Sequence, residues 1–347
     1  MKRFTSVRSM RIIRIAGVVS IAALAACEPS SALAAEASDS TSDGSGDAGS
    51  MGEAIGRLVG LTFLSGGNTG ASRQAAEWRS SRPEDAAMMD RLASQPVAKW
   101  INEWVPLSEI GRTFSRAATT GAMPVFVAYN IPNRDLGSYS AGGAADASAY
   151  RQWIRDFAAA LGGRRSIVVL EPDAVPQTAR MTAAGRDERF ALLRDAIQVL
   201  KSANAIVYLD AGNARWMSPE AAAAALQTAG LAQADGFSLN VSNYISTSVS
   251  MSYGDQISSR TGGKHYIIDT SRNGMGGTAD AQWCNVPGQS LGSEPTTQTG
   301  NARVDALLWI KVPGESDGTC NGGPRAGAWF AEYALELARQ ATLLASR

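Results

Sequence analysis

Histidine is almost missing from this chain: among 347 residues there is one, His265. A Ser-His-acid hydrolase built on a nucleophile elbow needs a histidine downstream of its serine. The only suggestive match, Gly288-Gln289-Ser290-Leu291-Gly292, lies after His265 and follows the turn-like Asn285-Val286-Pro287 instead of a strand, so serine-hydrolase chemistry is excluded and His265 is read as structural. Cysteine is sparse too, at three, and no His or Cys stands at zinc-ligand spacing, so no metal is expected. No G-x-G-x-x-G follows a strand and no G-x-x-x-x-G-K-[ST] exists, which removes dinucleotide and P-loop chemistry and leaves no cofactor to expect. Charge of one sign is not in excess either. Thirty-two basic residues balance thirty-two acidic ones, giving no whole-chain field to attract nucleic acid or an anionic membrane; a neutral ligand fits better.

The most apolar run is short and N-terminal. MKRFTSVRSMRIIRIAGVVSIAALAAC is a basic stretch followed by an apolar one too short to span a bilayer comfortably, the build of an export signal over residues 1–27. Leu24-Ala25-Ala26-Cys27 resembles a lipobox with Cys27 as the acylated residue, while Ala32-Leu33-Ala34 offers a competing cleavage site. The lipobox is preferred, and a lipid on Cys27 is the only membrane contact expected. Residues 28–50 are mainly Ser, Ala, Gly and Asp, which bury too little to offset their ordering entropy, so they read as a flexible tether. With Cys27 removed or lipidated, Cys284 and Cys320 remain, and an even pair in an exported chain predicts one disulfide. Residues 51–347 then form one large domain, which the 45% hydrophobic content can fill with a core.

From about residue 55, short β-rich runs alternate with stretches of helical period, the mark of parallel βα units. The strand candidates are Gly60–Leu64, Pro124–Tyr129, Ser166–Leu170, Ala205–Leu209, Gly236–Leu239, Tyr266–Ile268 and Ala306–Ile310. Helical stretches include Ala145–Leu161, Arg186–Ala203, Pro219–Ala229 and a last one at Ala328–Ala345. The ends of these strands are polar: Tyr129 and Asp135, Glu171 and Asp173, Asp210, Asn240 with Asn243, Asp269 with Arg272, and Lys311, Glu315 and Asp317. In β/α barrels the active site is assembled from such strand ends. The plain alternative is that the acids cap the following helices, but five such positions in one chain make that a poor general explanation.

Several carboxylates round one cleft, with aromatics and no cofactor motif, suit acid/base cleavage of a glycosidic bond. Eight tryptophans supply stacking surfaces. Trp100, Trp216 and Trp283 stand in loop-like or strand-end contexts, whereas Trp153 and Trp329 fall in helical patterns and Trp309 in an apolar run, all three of which read as core.

Tyr129-Asn130-Ile131-Pro132-Asn133-Arg134-Asp135, continued by Gly137-Ser138-Tyr139-Ser140-Ala141-Gly142-Gly143, resembles the first signature of family 6 glycoside hydrolases, the cellulases. Val168-Val169-Leu170-Glu171-Pro172-Asp173 resembles the strand end carrying the family's proton donor, and Tyr208-Leu209-Asp210-Ala211-Gly212-Asn213 its third carboxylate motif. Asn240-Val241-Ser242-Asn243-Tyr244, Asp269-Thr270-Ser271-Arg272-Asn273-Gly274, Trp283-Cys284-Asn285 and Lys311-Val312-Pro313-Gly314-Glu315-Ser316-Asp317-Gly318 complete the series in order.

The resemblance implies a distorted, TIM-like (β/α) barrel of about seven parallel strands. It implies inverting hydrolysis of a β-1,4-glucan chain or cellooligosaccharide by a monomer outside the cytoplasmic membrane. Asp173 maps to the general acid, Asp135 to the carboxylate that keeps the acid protonated and relays protons, and Asp317 to the base. Tyr129, Trp100, Asp210, Trp216, Asn243, Trp283, Lys311 and Glu315 map to sugar-binding positions. Moderate connections at Asn240 to Tyr266 and Cys284 to Ala306 point to an open cleft and internal cutting. The alternatives are a non-catalytic glucan-binding lipoprotein, exo action, or another β-glucan as substrate. One departure stands out: many relatives carry a cysteine after the first-motif aspartate, bonded to another beyond Glu-Pro-Asp. Here Leu136 follows Asp135 and no cysteine lies between Asp173 and Trp283, which predicts a freer Asp135 loop.

Overall fold

The computed structural model describes residues 57–345. The export signal, Cys27, the tether and the outermost residues of the 51–347 domain lie outside the described residues.

Seven strands run in chain order: β1 (Lys99–Ile101), β2 (Val125–Ala128), β3 (Ser166–Leu170), β4 (Ala205–Asp210), β5 (Gly236–Leu239), β6 (His265–Asp269) and β7 (Val304–Leu308). Each pairs in parallel with its neighbours in sequence, giving one sheet of order β1 to β7. Segments such as Ser166-Ile-Val-Val-Leu suit this role, because a parallel strand covered on both faces is apolar throughout. Side chains of one parity, including Phe126, Val168, Leu170, Val207, Leu209, Phe237 and Ile268, pack with helical residues. Those of the other parity, including Val125, Val127, Ile167, Val169, Tyr208, Ile267, Ala306 and Leu308, form a second cluster without helices. One face of the sheet thus packs on itself, so the sheet is curled into a half-barrel around that second cluster. At the seam, the Ala98 N–H donates to the Trp309 carbonyl (3.0 Å) and the Trp100 indole N–H to the Ile310 carbonyl (2.8 Å).

The helices are α1 (Gly70–Trp78), α2 (Pro83–Ser94), α3 (Ser108–Thr120), α4 (Ala147–Leu161), α5 (Ala183–Ser202), α6 (Pro219–Thr228), α7 (Thr247–Arg260) and α8 (Ala331–Ala345). Their starts follow from local chemistry. Asp146, Thr182, Ser218 and Ser246 cap α4, α5, α6 and α7 by accepting the N–H of Ala149, Gly185, Ala221 and Val249.

Six of the seven expected strands form. Gly60–Leu64 does not: Phe63 makes a single isolated bridge with Met123, and Lys99–Ile101 takes the seventh place. A three-residue strand with a half-exposed lysine has too little apolar pattern to be seen in sequence. Trp100 therefore lies within a strand rather than in a loop. Trp309 is buried as expected, and Trp153 packs on the core. Trp329 precedes α8 instead of lying in a helix, yet still packs with Trp309 in a third cluster built from α1, α2 and α8. His265 opens β6 and its Nδ1 pairs with buried Asp305 at 2.8 Å, a structural role.

Candidate active site

Three acids at strand ends turn out to fasten the strands to one another. Glu171, fully buried, accepts the backbone N–H of Asn130 (2.9 Å) and Ile131 (3.1 Å), joining the ends of β2 and β3. Asp210 accepts the N–H of Asp173 (2.8 Å) and Gly212 (3.0 Å) and the Ser238 hydroxyl (3.0 Å), joining β3, β4 and β5. Asp269 accepts from Ser242 N–H (3.0 Å), Ser271 N–H (2.9 Å) and Lys311 N–H (2.9 Å), spanning β5 to β7. These carboxylates cap neighbouring strand ends, where the backbone turns away and leaves N–H groups unpaired. Asp210, mapped to sugar binding, is fully buried with both oxygens occupied. The structure places it under Asp173.

Asp173 is held by that contact in a left-handed conformation, φ 71°, a strained geometry of the kind that clusters at functional sites. Loss of hydration pushes its pKa well up, and the charges of Asp210, Asp135 and Asp317 push it further. Burial likewise raises Asp210, to about 6, and Glu171, to about 7. The mouth of the barrel therefore favours a neutral carboxylic acid at Asp173.

Asp135 also has positive φ, 55°. Its Oδ2 accepts the Ser140 N–H at 2.9 Å, and burial raises its pKa against the pull of Ser140, Arg134 and Arg180. In place of the missing cysteines, charged side chains fasten the loop that carries it. Arg134, 1% exposed, forks onto Glu103 and donates from Nε to the Ser140 carbonyl (2.8 Å) and from Nη1 to the Tyr129 carbonyl (2.8 Å). Glu103 in turn accepts the Gly143 N–H at 2.9 Å. From α5, buried Arg189 donates to the carbonyls of Pro132 (2.8 Å) and Asn133 (3.1 Å). Glu103 and Arg189 went unread in the sequence, since a lone charge on a loop or helix carries no signal until its partner is in place.

Asp317 has the opposite electrostatics. Burial alone would raise its pKa, but Arg272 (Nη1 to Oδ2, 2.7 Å) and Lys311 (Nζ to Oδ1, 3.2 Å) hold it below the usual carboxylate range. The Asn285 N–H adds a third donor at 2.9 Å. Lys311, mapped to a sugar contact, is thus engaged with Asp317. Glu315, a few residues away, is pushed upward by burial against Lys311, Lys99 and Arg73. Asn243 is buried and turns its amide back to the Val241 carbonyl (2.9 Å).

The aromatic residues line the same end of the barrel. Tyr129 and Trp100 meet edge to face, centroids 5.1 Å apart. Trp216 is 45% exposed and packs over Gly212, whose φ of 73° and lack of a Cβ its approach requires. Trp283, 42% exposed, pairs with Tyr139 of the Asp135 loop at 5.9 Å, so that loop reaches the segment between β6 and β7. Cys284 and Cys320 are bonded, as expected, tying the Trp283 segment to the Asp317 loop. Among the described residues no group of three His, Cys, Asp or Glu side chains is arranged to hold a metal ion.

This arrangement of acids and exposed indoles can be set beside known proteins. A sequence profile described as glycosyl hydrolases family 6 matches residues 62–341. Endoglucanase A of Cellulomonas fimi is 43% identical over 268 residues, covering 76% of this chain and 58% of that protein. This chain therefore spans little more than half of that relative. Endoglucanase 1 of Streptomyces halstedii is 40% identical over 291 residues, 80% of this chain and 89% of the relative. The solved endoglucanase Cel6 from Mycobacterium tuberculosis, in complex with methyl-cellobiosyl-4-deoxy-4-thio-β-D-cellobioside, superposes with a TM-score of 0.76 at 42% identity, covering 82% of this chain and 98% of that one.

Proposed function

The chain belongs to glycosyl hydrolases family 6, and from that membership we propose that it is an inverting endo-β-1,4-glucanase acting on cellulose-type glucans as a monomer, either secreted or lipid-anchored through Cys27. The observation that carries this reading is the electrostatic split at the barrel mouth: Asp173 is pushed toward its neutral form while Asp317 is held ionised. Carboxyls driven apart in this way are how one site supplies an acid and an anion at the same pH. Internal cutting is supported by the endoglucanase names of the relatives.

In this scheme a glucan chain lies along Trp100, Tyr129, Trp216 and Trp283, with its scissile oxygen at Asp173. Neutral Asp173 gives its proton to the leaving oxygen as the glycosidic bond breaks. Asp317, fixed by Arg272 and Lys311, orients and polarises the attacking water on the opposite face of the sugar. Its low proton affinity makes it a poor final acceptor. Asp135, whose pKa burial raises, takes the proton released by the water and returns it to Asp173, which closes the cycle without a net proton change on the protein.

The test is the configuration of the first product. Proton NMR of cellooligosaccharide cleavage is expected to show the α-anomer before mutarotation. A β-anomer appearing first would require a nucleophilic carboxylate and would end the inverting assignment.

A further inference from the structure

Among the described residues three tryptophans are strongly exposed: Trp104 at 64%, Trp216 at 45% and Trp283 at 42%. All three sit on segments that leave the C-terminal ends of strands, β1, β4 and β6. The other five are buried or packed against the core clusters. Trp216 and Trp283 have a role in the glucanase reading, but Trp104, the most exposed of all, has none. We propose that Trp104 is an additional stacking platform for a glucosyl unit, extending the glucan-binding cleft along its β1 edge, beyond the sugars at the reacting bond. The proposal rests on the glucanase reading.

The backbone at Trp104 is fixed, and its indole lies against a buried cation. Asn102 Oδ1 accepts the N–H of Trp104 (3.0 Å) and of Val105 (3.1 Å), which fixes the turn after β1. The Arg134 guanidinium lies over one face of the indole, 5.0 Å from the ring centre, and is itself fixed by Glu103 and by the Tyr129 and Ser140 carbonyls. One face thus meets a buried, paired cation, which leaves the other face and the edge of this exposed ring available to a ligand. That free face carries the same negative quadrupole that attracts the guanidinium, and it suits the C–H-lined face of a pyranose.

Position adds to this. Arg134 also lies over Tyr129 at 4.6 Å, and Tyr129 meets Trp100 at 5.1 Å. Arg134 thus bridges the rings of Trp104 and Tyr129, and Tyr129 meets Trp100 edge to face, which puts Trp104 on the same flank of the site as Trp100. A buried arginine alone would not require this arrangement, since an aliphatic side chain could shield it with less exposed apolar surface.

Trp104→Ala and Trp104→Phe, assayed on cellotriose and cellohexaose, separate the roles. Trp104→Ala is expected to raise KM for cellohexaose about fivefold, the size of one aromatic contact, leaving kcat and the cellotriose parameters unchanged, with Trp104→Phe restoring most of the loss. A kcat loss equal for both substrates would mean that Trp104 only shields Arg134, and no change on either would mean that it binds nothing; both overturn the proposal. Wild-type protein that cleaves no β-1,4-glucan would instead bring down the glucanase reading, and this proposal with it.

Discussion

Arg134 donates to both oxygens of Glu103, Nη1 to Oε2 at 2.5 Å and Nη2 to Oε1 at 3.0 Å, and this pair ties the loop of Asp135 to the end of β1. The arginine is buried, whereas the glutamate is partly open to solvent. Although burial opposes it, the guanidinium lowers the Glu103 pKa and keeps the pair ionised. Two planar groups joined by two parallel hydrogen bonds fix orientation as well as distance. A forked ion pair thus holds one side of this loop, and Arg189 supports the other.

Glu103→Gln tests whether the pair positions Asp135. It leaves Arg134 buried without its counter-charge, and kcat on cellooligosaccharides is expected to fall about tenfold or more through misplacement of the loop. KM for the short substrates should change little, because Glu103 is not placed against the sugar. Glu103→Asp should recover part of the rate. A kcat within about twofold of wild type would show that the loop is held without the pair.

Asp173→Ala should lower hydrolysis of unactivated cellooligosaccharides by about two to four orders of magnitude, the usual contribution of a positioned general acid. Dinitrophenyl cellobioside, whose leaving group needs no proton, should recover much of the lost rate. Equal losses on both substrates would indicate damage to binding or to the water-activating side, and the acid role would pass to another carboxyl. In wild type, the rate should fall as pH rises through the elevated pKa of Asp173.

Stability should also fall as the solution becomes less acidic. Glu171 and Asp210 are raised from ordinary values of 4.5 and 3.8 to about 7 and about 6, so between those limits the folded chain holds protons that the unfolded chain releases. Their stabilisation is complete below the unfolded values and is lost as pH climbs through the folded ones. Acids with lowered pKa, such as Asp317, act in the opposite direction only at lower pH. Thermal unfolding should therefore give a lower Tm at about pH 8 than at about pH 5, and Glu171→Gln should shrink that difference. A difference of the same size in Glu171→Gln would mean that Glu171 does not titrate in this range.

Elements whose signals are local were legible in the amino-acid sequence. Ser166–Leu170 and Gly236–Leu239 form strands at the expected residues because a doubly covered parallel strand must be apolar along its whole length. The motif order, with acids after strands, placed Asp135, Asp173 and Asp317 at one end of the fold, because parallel strands send all their C-terminal ends the same way. Tertiary structure alone decided what each acid does there. Asp173 and Asp317 are the same side chain in similar motifs, yet one is driven toward neutrality by burial and by neighbouring carboxylates, and the other is held ionised by Arg272 and Lys311. The side chains that set this difference come from β4 and the segments after β2, β6 and β7. The same holds for Lys99–Ile101, a strand only because β2 pairs with it, and for Glu103, which is a loop glutamate until Arg134, 31 residues later, is folded against it. Charges interact through space, so the chemistry of a site assembled from separated segments is set when the barrel closes.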